Sequence, residues 1–424
     1  MQSKQDTMTR KTLVLLLVLL STSIYSQQVV KPVGCFAGTN GTQSPVLAHS
    51  ESRGVLLTEK WSDIEQSPGV YDFTALNNKI NTVTSAGKKY SLAISAGAFG
   101  SPAWLIDSLN VDYHSFQYQN QTWRLPLWWD TVGMQELSDL ITQIGNQYAS
   151  DTNLSHVYVS QMTVNGIEGH LNGVNMTAFA ADGFTNQRWI TSAKNTAYEF
   201  ADAFPDKPIV FEVHEINQDT ILPATILNAL TNDPSLCNRV GLGMWWISGK
   251  TTYQPDLIDF IANYQGDKYA QVIGRSDQLH RFEDSLYSSV FTQAKELNIR
   301  YIEPWPYEFR FNTHDSLLHD FNAWADTTFS AIDSSCVTLK SSDIRMAKTV
   351  QTTIYPNPTN GYVNLQTEKE YKRLNITLYN LLGERVMNTA NNTTIDLRLL
   401  PAGTYILTVE MDDLSETHKI LKLE

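Results

Sequence analysis

The chain has 424 residues and a mass of 47.8 kDa, which is enough for two or three domains. Hydrophobic residues make up 42% and charged residues 18%, a composition that excludes a mostly disordered chain. The net charge of −13 offers no general basic surface to phosphate groups, which argues against a nucleic-acid partner. Cys35, Cys237 and Cys336 are far apart, so they show no metal-ligand spacing, although one disulfide remains open.

The N-terminal 26 residues have the three regions of a secretory signal. Arg10 and Lys11 precede an apolar run over residues 13–20, and a short polar stretch ends at Ser26. This apolar run is too short to span a bilayer as a helix. We therefore predict export, cleavage near Ser26 and no integral membrane segment afterwards. An N-terminal membrane anchor is the alternative.

Residues 33–324 alternate short β-type runs with amphipathic helical patterns. Eight runs fit strands, at residues 34–37, 54–60, 90–96, 157–164, 209–214, 240–247, 270–274 and 300–305. Helical spacing of apolar residues lies between most of them, at residues 73–86, 133–148, 189–204, 255–264 and 284–297. Eight such units predict an α/β fold of the (β/α)8 TIM barrel type. A doubly wound open sheet is the alternative, but no glycine-rich phosphate loop follows the first strand.

The pattern changes after residue 327. Residues 328–349 are rich in Ser, Asp and Thr and are interpreted as a linker. Residues 350–424 contain alternating runs at about ten-residue spacing without helical patterns, which predicts a small all-β sandwich. The predicted organisation is a signal segment at 1–26, a barrel at 27–327, the linker at 328–349 and the β-sandwich at 350–424.

Four ordered motifs in the predicted β-sandwich carry a resemblance to a known family. They are YPNPTNG at 355–361, LYNLLGE at 378–384, LLPAGTY at 399–405 and a basic residue in the last strand. Together they closely resemble the C-terminal sorting domain of type IX (Por) secretion cargo. The resemblance implies the type IX secretion machinery as a partner, and a location outside the cell or on the outer-membrane surface. A generic terminal β-sandwich, such as a carbohydrate-binding module, is the alternative.

In (β/α)8 enzymes the reacting groups lie at the C-terminal ends of the strands. Carboxylates stand at or after five of the predicted strands, namely Glu59, Glu168, Glu212, Glu215, Asp277, Glu303 and Glu308. Aromatic residues crowd the same ends, among them Trp61, Trp104, Trp128, Trp129, Trp245, Trp246, Trp305 and Tyr307. Flat rings stack on sugars and carboxylates bind hydroxyls, so the mixture suits a saccharide cleft. For any single Trp, packing in the core is the alternative.

The early barrel carries a second resemblance. Residues 61–73 (WSDIEQSPGVYDF), 86–89 (AGKK) and 100–105 (GSPAWL) resemble clan A glycoside hydrolases, and are closest to family 42 β-galactosidase-like proteins. In that clan the acid/base carboxylate follows strand four, where this chain has Glu168 in VNGIEGH. Two positions depart from the clan pattern. Ile167 stands where the clan usually has Asn, and the chain offers no Glu near Asp277, where the clan nucleophile sits at strand seven.

Glycoside hydrolysis needs two carboxyl groups that flank the bond, one of them held protonated. The resemblance implies Glu168 as the general acid, and we predict Glu303 as its catalytic partner because it stands beside Trp305 at a strand end. If the strand count were one too high, Glu303 would occupy the clan's nucleophile position. Substrate contacts are predicted for Glu59, Trp61, Glu212, His214, Trp246, Asp277 and Trp305.

The sequence thus predicts a secreted glycoside hydrolase-like protein that acts on an extracellular poly- or oligosaccharide without a metal or other cofactor. His170, His214, Glu212 and Glu215 are residue types that bind zinc, but their spacing matches no metal motif. The alternative function is a non-catalytic glycan-binding barrel at the cell surface, which the missing strand-seven Glu favours.

Overall fold

The structure is a computed structural model that describes residues 29–333, 352–367, 373–380, 385–411 and 414–423. These residues fall into two compact units, one drawn from residues 29–333 and the other from residues 352–423. The predicted signal segment at 1–26 and residues 334–349 of the predicted linker lie outside the described residues.

The first unit is a closed (β/α)8 barrel, as predicted. Its strands are β1 Gly34–Cys35, β2 Gly54–Lys60, β3 Lys89–Ser95, β4 Leu154–Tyr158, β5 Ile209–Glu212, β6 Val240–Ile247, β7 Asp267–Val272 and β8 Tyr301–Glu303. From β2 to β8 each strand pairs in parallel with the next, and β8 pairs with β1. A parallel bridge between Ala37 and Val55 closes the barrel, which rules out the doubly wound alternative.

A helix follows each strand of the barrel. These helices are α1 Ser44–Ala48, α2 Thr74–Ser85, α3 Thr131–Tyr148, α4 Asn186–Ala203, α5 Ile221–Thr231, α6 Pro255–Asn263, α7 Ser288–Glu296 and α8 Asp315–Thr328. Shorter helices in the connections are Trp61–Ile64, Gly97–Gly100, Trp104–Asp107, Met176–Ala181 and Pro306–Phe311, with 3-10 turns at Pro234–Leu236, Leu279–Arg281 and Glu283–Ser285. Two antiparallel hairpins pair Glu65–Ser67 with Val70–Tyr71 and Tyr113–Tyr118 with Gln121–Pro126. Within the described part of the chain, no helix has the length and apolar character that crossing a bilayer requires.

Several strand bounds differ from the prediction, and two of the differences change the course of the chain. The fourth strand ends at Tyr158 instead of residue 164, and the chain then turns back on itself, with the amide of Gln161 donating to the carbonyl of Gly166 at 2.9 Å. The barrel unit also continues past residue 327. Ile332–Asp333 pairs antiparallel with Val29–Val30, so part of the predicted linker is a strand.

Strand alternation sorts the barrel side chains into two layers. An interior cluster fills the barrel, with Phe36, Leu56, Ala93, Tyr158, Ile167, Val210, Trp245, Tyr269 and Tyr301 as members. Residues of the opposite parity, such as Val55 and Ile209, pack in the cluster that includes the helices. Because successive strand residues point to opposite faces, Glu212 faces inward with Val210, and Glu303 faces inward with Tyr301.

The loops after β3 and β4 pack backbone against backbone. The amide of Ala98 donates to the carbonyl of Thr163 at 2.9 Å, and the amide of Ala96 donates to the carbonyl of Gly166 at 3.3 Å. Gly97 has a φ of +62°, and a Cβ at this position would overlap the carbonyl oxygen of Thr163. Glycine alone satisfies both requirements, and the contact holds the loop that leads to Glu168.

The second unit is a β-sandwich within its described residues, as predicted. One antiparallel sheet contains Thr352–Tyr355, Tyr362–Thr367 and Thr394–Asp396; the other contains Leu374–Tyr379, Arg385–Ala390, Gly403–Met411 and Leu414–Lys422. Val363 and Ile395 from the first sheet and Ile376 and Leu407 from the second share one buried core. The two sheets therefore pack face to face.

We expect Gly97→Ala to lower the free energy of unfolding of the barrel by about 3 kcal/mol, because left-handed strain adds to overlap with Thr163. Gly87→Ala is the matched control, since Gly87 has a similar φ of +72° but no atom within 4 Å of the place where a Cβ would lie. The free energy of unfolding of Gly87→Ala should fall by about 1 kcal/mol, because left-handed strain acts there without overlap. Urea unfolding of the full chain can be followed by tryptophan fluorescence, because all ten tryptophans lie between Trp61 and Trp324. Equal losses for both variants would contradict the proposed backbone constraint.

Candidate active site

The loop that carries Glu168 is held by side chains that cap its backbone. The Asn165 side-chain oxygen accepts the amide hydrogens of Ile167, at 3.0 Å, and of Glu168, at 2.8 Å. The buried Gln161 amide donates to the carbonyl of Ile167 at 2.7 Å and to the carbonyl of Glu212 at 2.8 Å. Gln161 thus ties the loop to the end of β5, beside the mouth formed by the C-terminal ends of the strands.

The Glu168 side chain reaches solvent with 26% of its surface. Its Oε2 lies 3.7 Å from Nε2 of His170 and 3.9 Å from Nε2 of His214. Burial, and then the nearby Glu212 carboxylate, raise the pKa of Glu168 to about 7, although His214 and Asn165 act in the opposite direction. A substantial share of Glu168 is therefore protonated at neutral pH.

The Glu212 carboxylate is fully buried and joins three neighbouring strand ends. Its Oε2 accepts the amide hydrogen of Gly169, which follows β4, at 2.7 Å. Its Oε1 accepts the amide hydrogen of Trp245, on β6, at 3.1 Å. The Nδ1 atom of His214 lies 3.1 Å from Oε2 of Glu212. Glu212 was predicted to contact substrate, but the structure encloses it behind Glu168 and His214.

The two histidines beside Glu168 differ in charge. Burial, followed by repulsion from His214, lowers the pKa of His170 to about 3, so this ring is neutral. Burial also lowers the pKa of His214, but the charge and hydrogen bond of Glu212, with Glu168 adding to them, leave that pKa above its ordinary value. The surroundings therefore favour the cationic form of His214.

Tyr253, after β6, is a site residue that the sequence analysis missed. Its side chain is exposed, with 48% relative accessibility, and its ring meets Trp246 edge-on with centroids 5.5 Å apart. Burial, and then the charges of Glu168, Glu212 and Glu215, raise the pKa of Tyr253. The loop of Tyr253 has no periodic pattern that would signal this position. For Asn165, the Asn-Gly pair is a turn signal that could have marked the position.

Glu303 lies inside the barrel. It has no exposed surface, and its Oε1 accepts hydrogen bonds from the hydroxyl groups of Tyr301, at 2.6 Å, and Tyr158, at 3.1 Å. Its Oε2 accepts from the Gln271 amide at 2.9 Å. Burial raises the pKa of Glu303 to about 7 despite these donors. Its strand is the eighth, so Glu303 does not occupy the strand-seven nucleophile position.

Two other predicted contact residues lie outside the barrel interior. Trp61 is fully buried, and its indole donates to Glu65 at 2.7 Å. Glu59 points away from the barrel interior and forms an ion pair at 2.6 Å with Lys79 of α2. Both side chains stabilise the layer between strands and helices and do not face the mouth, because β2 alternation turns Glu59 outward.

The remaining predicted contact residues lie in separate environments. Trp246 is 1% exposed and donates to the carbonyl of Val213 at 2.9 Å, whereas Trp305 is partly exposed and donates to the carbonyl of Val272 at 2.8 Å. Asp277 is exposed and pairs with Arg275 through both carboxylate oxygens. Among the described residues, no three His, Cys, Asp or Glu side chains are placed to hold a metal ion.

Solved structures that the chain is similar to include proteins from Paenibacillus polymyxa, Rahnella sp. R3 and Thermotoga maritima. The catalytic domain of beta-amylase from Paenibacillus polymyxa has 9% identity and a TM-score of 0.49, covering 69% of this chain and 99% of that chain. A cold-adapted beta-galactosidase from Rahnella sp. R3 has 10% identity and a TM-score of 0.44, covering 70% of this chain and 57% of that chain. Xylanase 10B from Thermotoga maritima has 11% identity and a TM-score of 0.40, covering 64% of this chain and 82% of that chain.

No curated protein matches the chain in sequence. Residues 353–423 match the family model of the secretion system C-terminal sorting domain. This match confirms the resemblance carried by the four motifs of the β-sandwich. The C-terminal unit is therefore a sorting domain, which implies that the protein is secreted.

Proposed function

We propose that this protein is a secreted glycoside hydrolase that cleaves O-glycosidic bonds of an extracellular poly- or oligosaccharide, with Glu168 as the general acid. The observation that carries the proposal is a partly exposed carboxyl group with a pKa near 7 at the C-terminal mouth of a (β/α)8 barrel. Reacting groups of such barrels lie at this end. A carboxyl group of this pKa is about half protonated in neutral solution and can donate a proton there.

The chemistry follows from the placement of Glu168. A glycosidic oxygen leaves as an alcohol only if it receives a proton while the C–O bond breaks. Glu168 presents a protonated oxygen at the mouth, while the Asn165 cap fixes its backbone. Tyr253 supplies an exposed aromatic face beside it, and such faces stack on the apolar side of sugar rings. Together these groups support proton donation to a bound saccharide.

Glycoside hydrolysis needs a second carboxyl group besides Glu168. Glu303, predicted as the partner, has no exposed surface, so a sugar would reach it only if Trp245 or its neighbours moved. Glu215 follows β5, is partly exposed, and lies close enough to raise the pKa of both His214 and Tyr253. Glu215 is therefore the first carboxylate to test in the partner role.

A non-catalytic glycan-binding barrel is the second candidate function. The observation that favours it is the burial of both Glu212 and Glu303, which have no exposed surface. Such a protein would keep the aromatic and hydroxyl-binding groups of the mouth without an opposed pair of reactive carboxyl groups. Binding without turnover would distinguish it from the enzyme.

We propose that export uses two steps. The predicted signal segment at 1–26 directs passage across the inner membrane, and the sorting domain directs passage across the outer membrane by the type IX machinery, with release or surface attachment afterwards. The barrel then meets its saccharide outside the cell.

We expect Glu168→Gln to lower kcat by about 10²- to 10⁴-fold, because the amide cannot donate an acidic proton. The assay compares the full chain and its variants on plant and microbial polysaccharides and aryl glycosides. Glu296→Gln is the matched control, since Glu296 is exposed at the end of α7, and it should keep full activity. If Glu168→Gln still cleaves the substrate at the wild-type rate, Glu168 is not the general acid. If no substrate is cleaved but a glycan binds wild type and Glu168→Gln equally, the binding barrel is the correct function.

The pH dependence of kcat/KM should show a basic limb near pH 7. The acid must be protonated to react, so activity is present below the pKa of Glu168 and falls as pH rises through about 7. Initial rates with a substrate from the panel above measure this limb. A rate that stays constant from about pH 6 to about pH 8 would contradict protonated Glu168 as the reacting form.

Removal of residues 350–424 should block passage across the outer membrane. We expect the truncated chain to accumulate in the periplasm of a host with type IX secretion, because the sorting domain is the part that the machinery recognises. Cell fractionation and immunoblotting measure the distribution, and the intact Glu168→Gln chain is the control. Normal export of the truncated chain would show that another segment contains the signal for passage across the outer membrane.

A further inference from the structure

The ring of His214 lies between two carboxyl groups. Its Nδ1 is 3.1 Å from Oε2 of Glu212, and its Nε2 is 3.9 Å from Oε2 of Glu168. His214 and Glu212 are two residues apart at the end of β5, so both side chains leave the strand on the same face. The three groups form a line from the barrel interior to the mouth.

The inner end of this line is built to hold a negative charge. Glu212 is fully buried, and the amide groups of Gly169 and Trp245 both donate to its carboxylate. A buried carboxylate is stable when backbone donors and a cationic partner neutralise it. His214 is the basic side chain that contacts it, with only 7% of its side chain exposed. The two residues therefore form an enclosed ion pair.

His170 contacts Glu168 differently. It is slightly closer, at 3.7 Å between Nε2 and Oε2, but it has no carboxylate at its other nitrogen, where the amide of Asn172 lies 3.4 Å from Nδ1. Repulsion from cationic His214 is one of the two reasons that the pKa of His170 is low. The surroundings thus favour the charged form of His214 and the neutral form of His170.

The ionisable groups that face Glu168 and His214 come from three loops. The β4 loop supplies Glu168 and His170, β5 and its loop supply Glu212, His214 and Glu215, and the β6 loop supplies Tyr253. Among these described groups, His214 is the basic one whose surroundings favour the charged form. Its Nε2 lies 3.9 Å from Oε2 of Glu168, so it is placed to balance a charge that Glu168 acquires.

We propose that Glu212 and His214 act as a buried ion pair that positions the Glu168 carboxyl group and stabilises the negative charge that it acquires when it donates its proton. This inference rests on the proposed acid role of Glu168 and assigns His214 and Glu212 as positioning residues instead of substrate contacts. The Glu168 proton passes to the leaving oxygen, and the remaining carboxylate faces the His214 imidazolium. Water outside the pair later returns a proton to Glu168.

The pair can be tested by titration without any substrate. The full chain is labelled with ¹³C at the glutamate carboxyl carbons and ¹⁵N at the histidine rings, and Glu168→Gln assigns the Glu168 resonance. His214→Asn keeps a nitrogen donor near Glu212 but removes the ring nitrogen that faces Glu168. We expect the Glu168 pKa to rise by about one unit in this variant, because an opposite charge is lost. His170→Asn is the matched control; it removes a neutral ring and admits water, so it should leave the Glu168 pKa unchanged or lower it.

Each outcome decides the proposal. A Glu168 pKa that is unchanged in His214→Asn, or that moves alike in both histidine variants, overturns it. In the wild-type chain His214 must remain protonated at neutral pH, and Glu212→Gln must lower its pKa; a neutral His214 in the wild type overturns the proposal even if the variants fail to fold.

Rate measurements separate this proposal from the proposed function. If glycosides are cleaved, the basic limb of kcat/KM should move to higher pH in His214→Asn, with kcat lowered more than KM is changed. If no glycoside is cleaved, the acid role of Glu168 fails, while the titration still decides whether the ion pair exists.

Discussion

The carboxylate of Glu212 links the segments that form one side of the barrel mouth. A buried ion costs several kcal/mol in desolvation unless charge and hydrogen bonds compensate for it. The amides of Gly169 and Trp245 and the ring of His214 meet this requirement, and they come from the ends of three adjacent strands. Because all three donors contact the same carboxylate, the loop after β4, the end of β5 and strand β6 are held in fixed positions relative to one another. Glu168, next to Gly169, takes its position from this arrangement.

Two buried carboxyl groups in the same barrel meet different conditions. Glu303 accepts hydrogen bonds from Tyr301, Tyr158 and Gln271, which are neutral donors, and burial raises its pKa to about 7. Glu212 has a basic partner, His214. The donors to Glu303 belong to the packing of the barrel interior, whereas the histidine beside Glu212 also faces Glu168 at the mouth. Two equally buried glutamates of one barrel therefore have different surroundings.

The order of elements was predictable because it depends on local patterns. The bounds predicted for β2 and β6 agree with the structure, since β6 is a continuous run of buried residues and β2 begins with four of them. The hairpin of Tyr113–Tyr118 and Gln121–Pro126 was missed, because its turn at Gln119 and Asn120 has left-handed φ angles without glycine. The sorting domain was also predictable, because its motifs are contiguous segments that a single sequence displays.

Periodicity in the chain was sufficient for the eight strands and for five of the eight main helices, and contiguous motifs were sufficient for the sorting domain. Glu168 was chosen from the resemblance to clan A glycoside hydrolases, and its role stays a prediction. The groups around Glu168 depended on the folded chain, because Glu212 and His214 come from β5 and its loop, and Tyr253 comes from the loop after β6. The assembled sheet also decides whether a side chain points into the barrel or away from it. Glu59 points outward to Lys79 and Glu303 points into the interior, although both stand at strand ends in the sequence. Hydrophobic patterning acts over a few residues, whereas desolvation and charge pairing act through space, between residues that are distant in the chain.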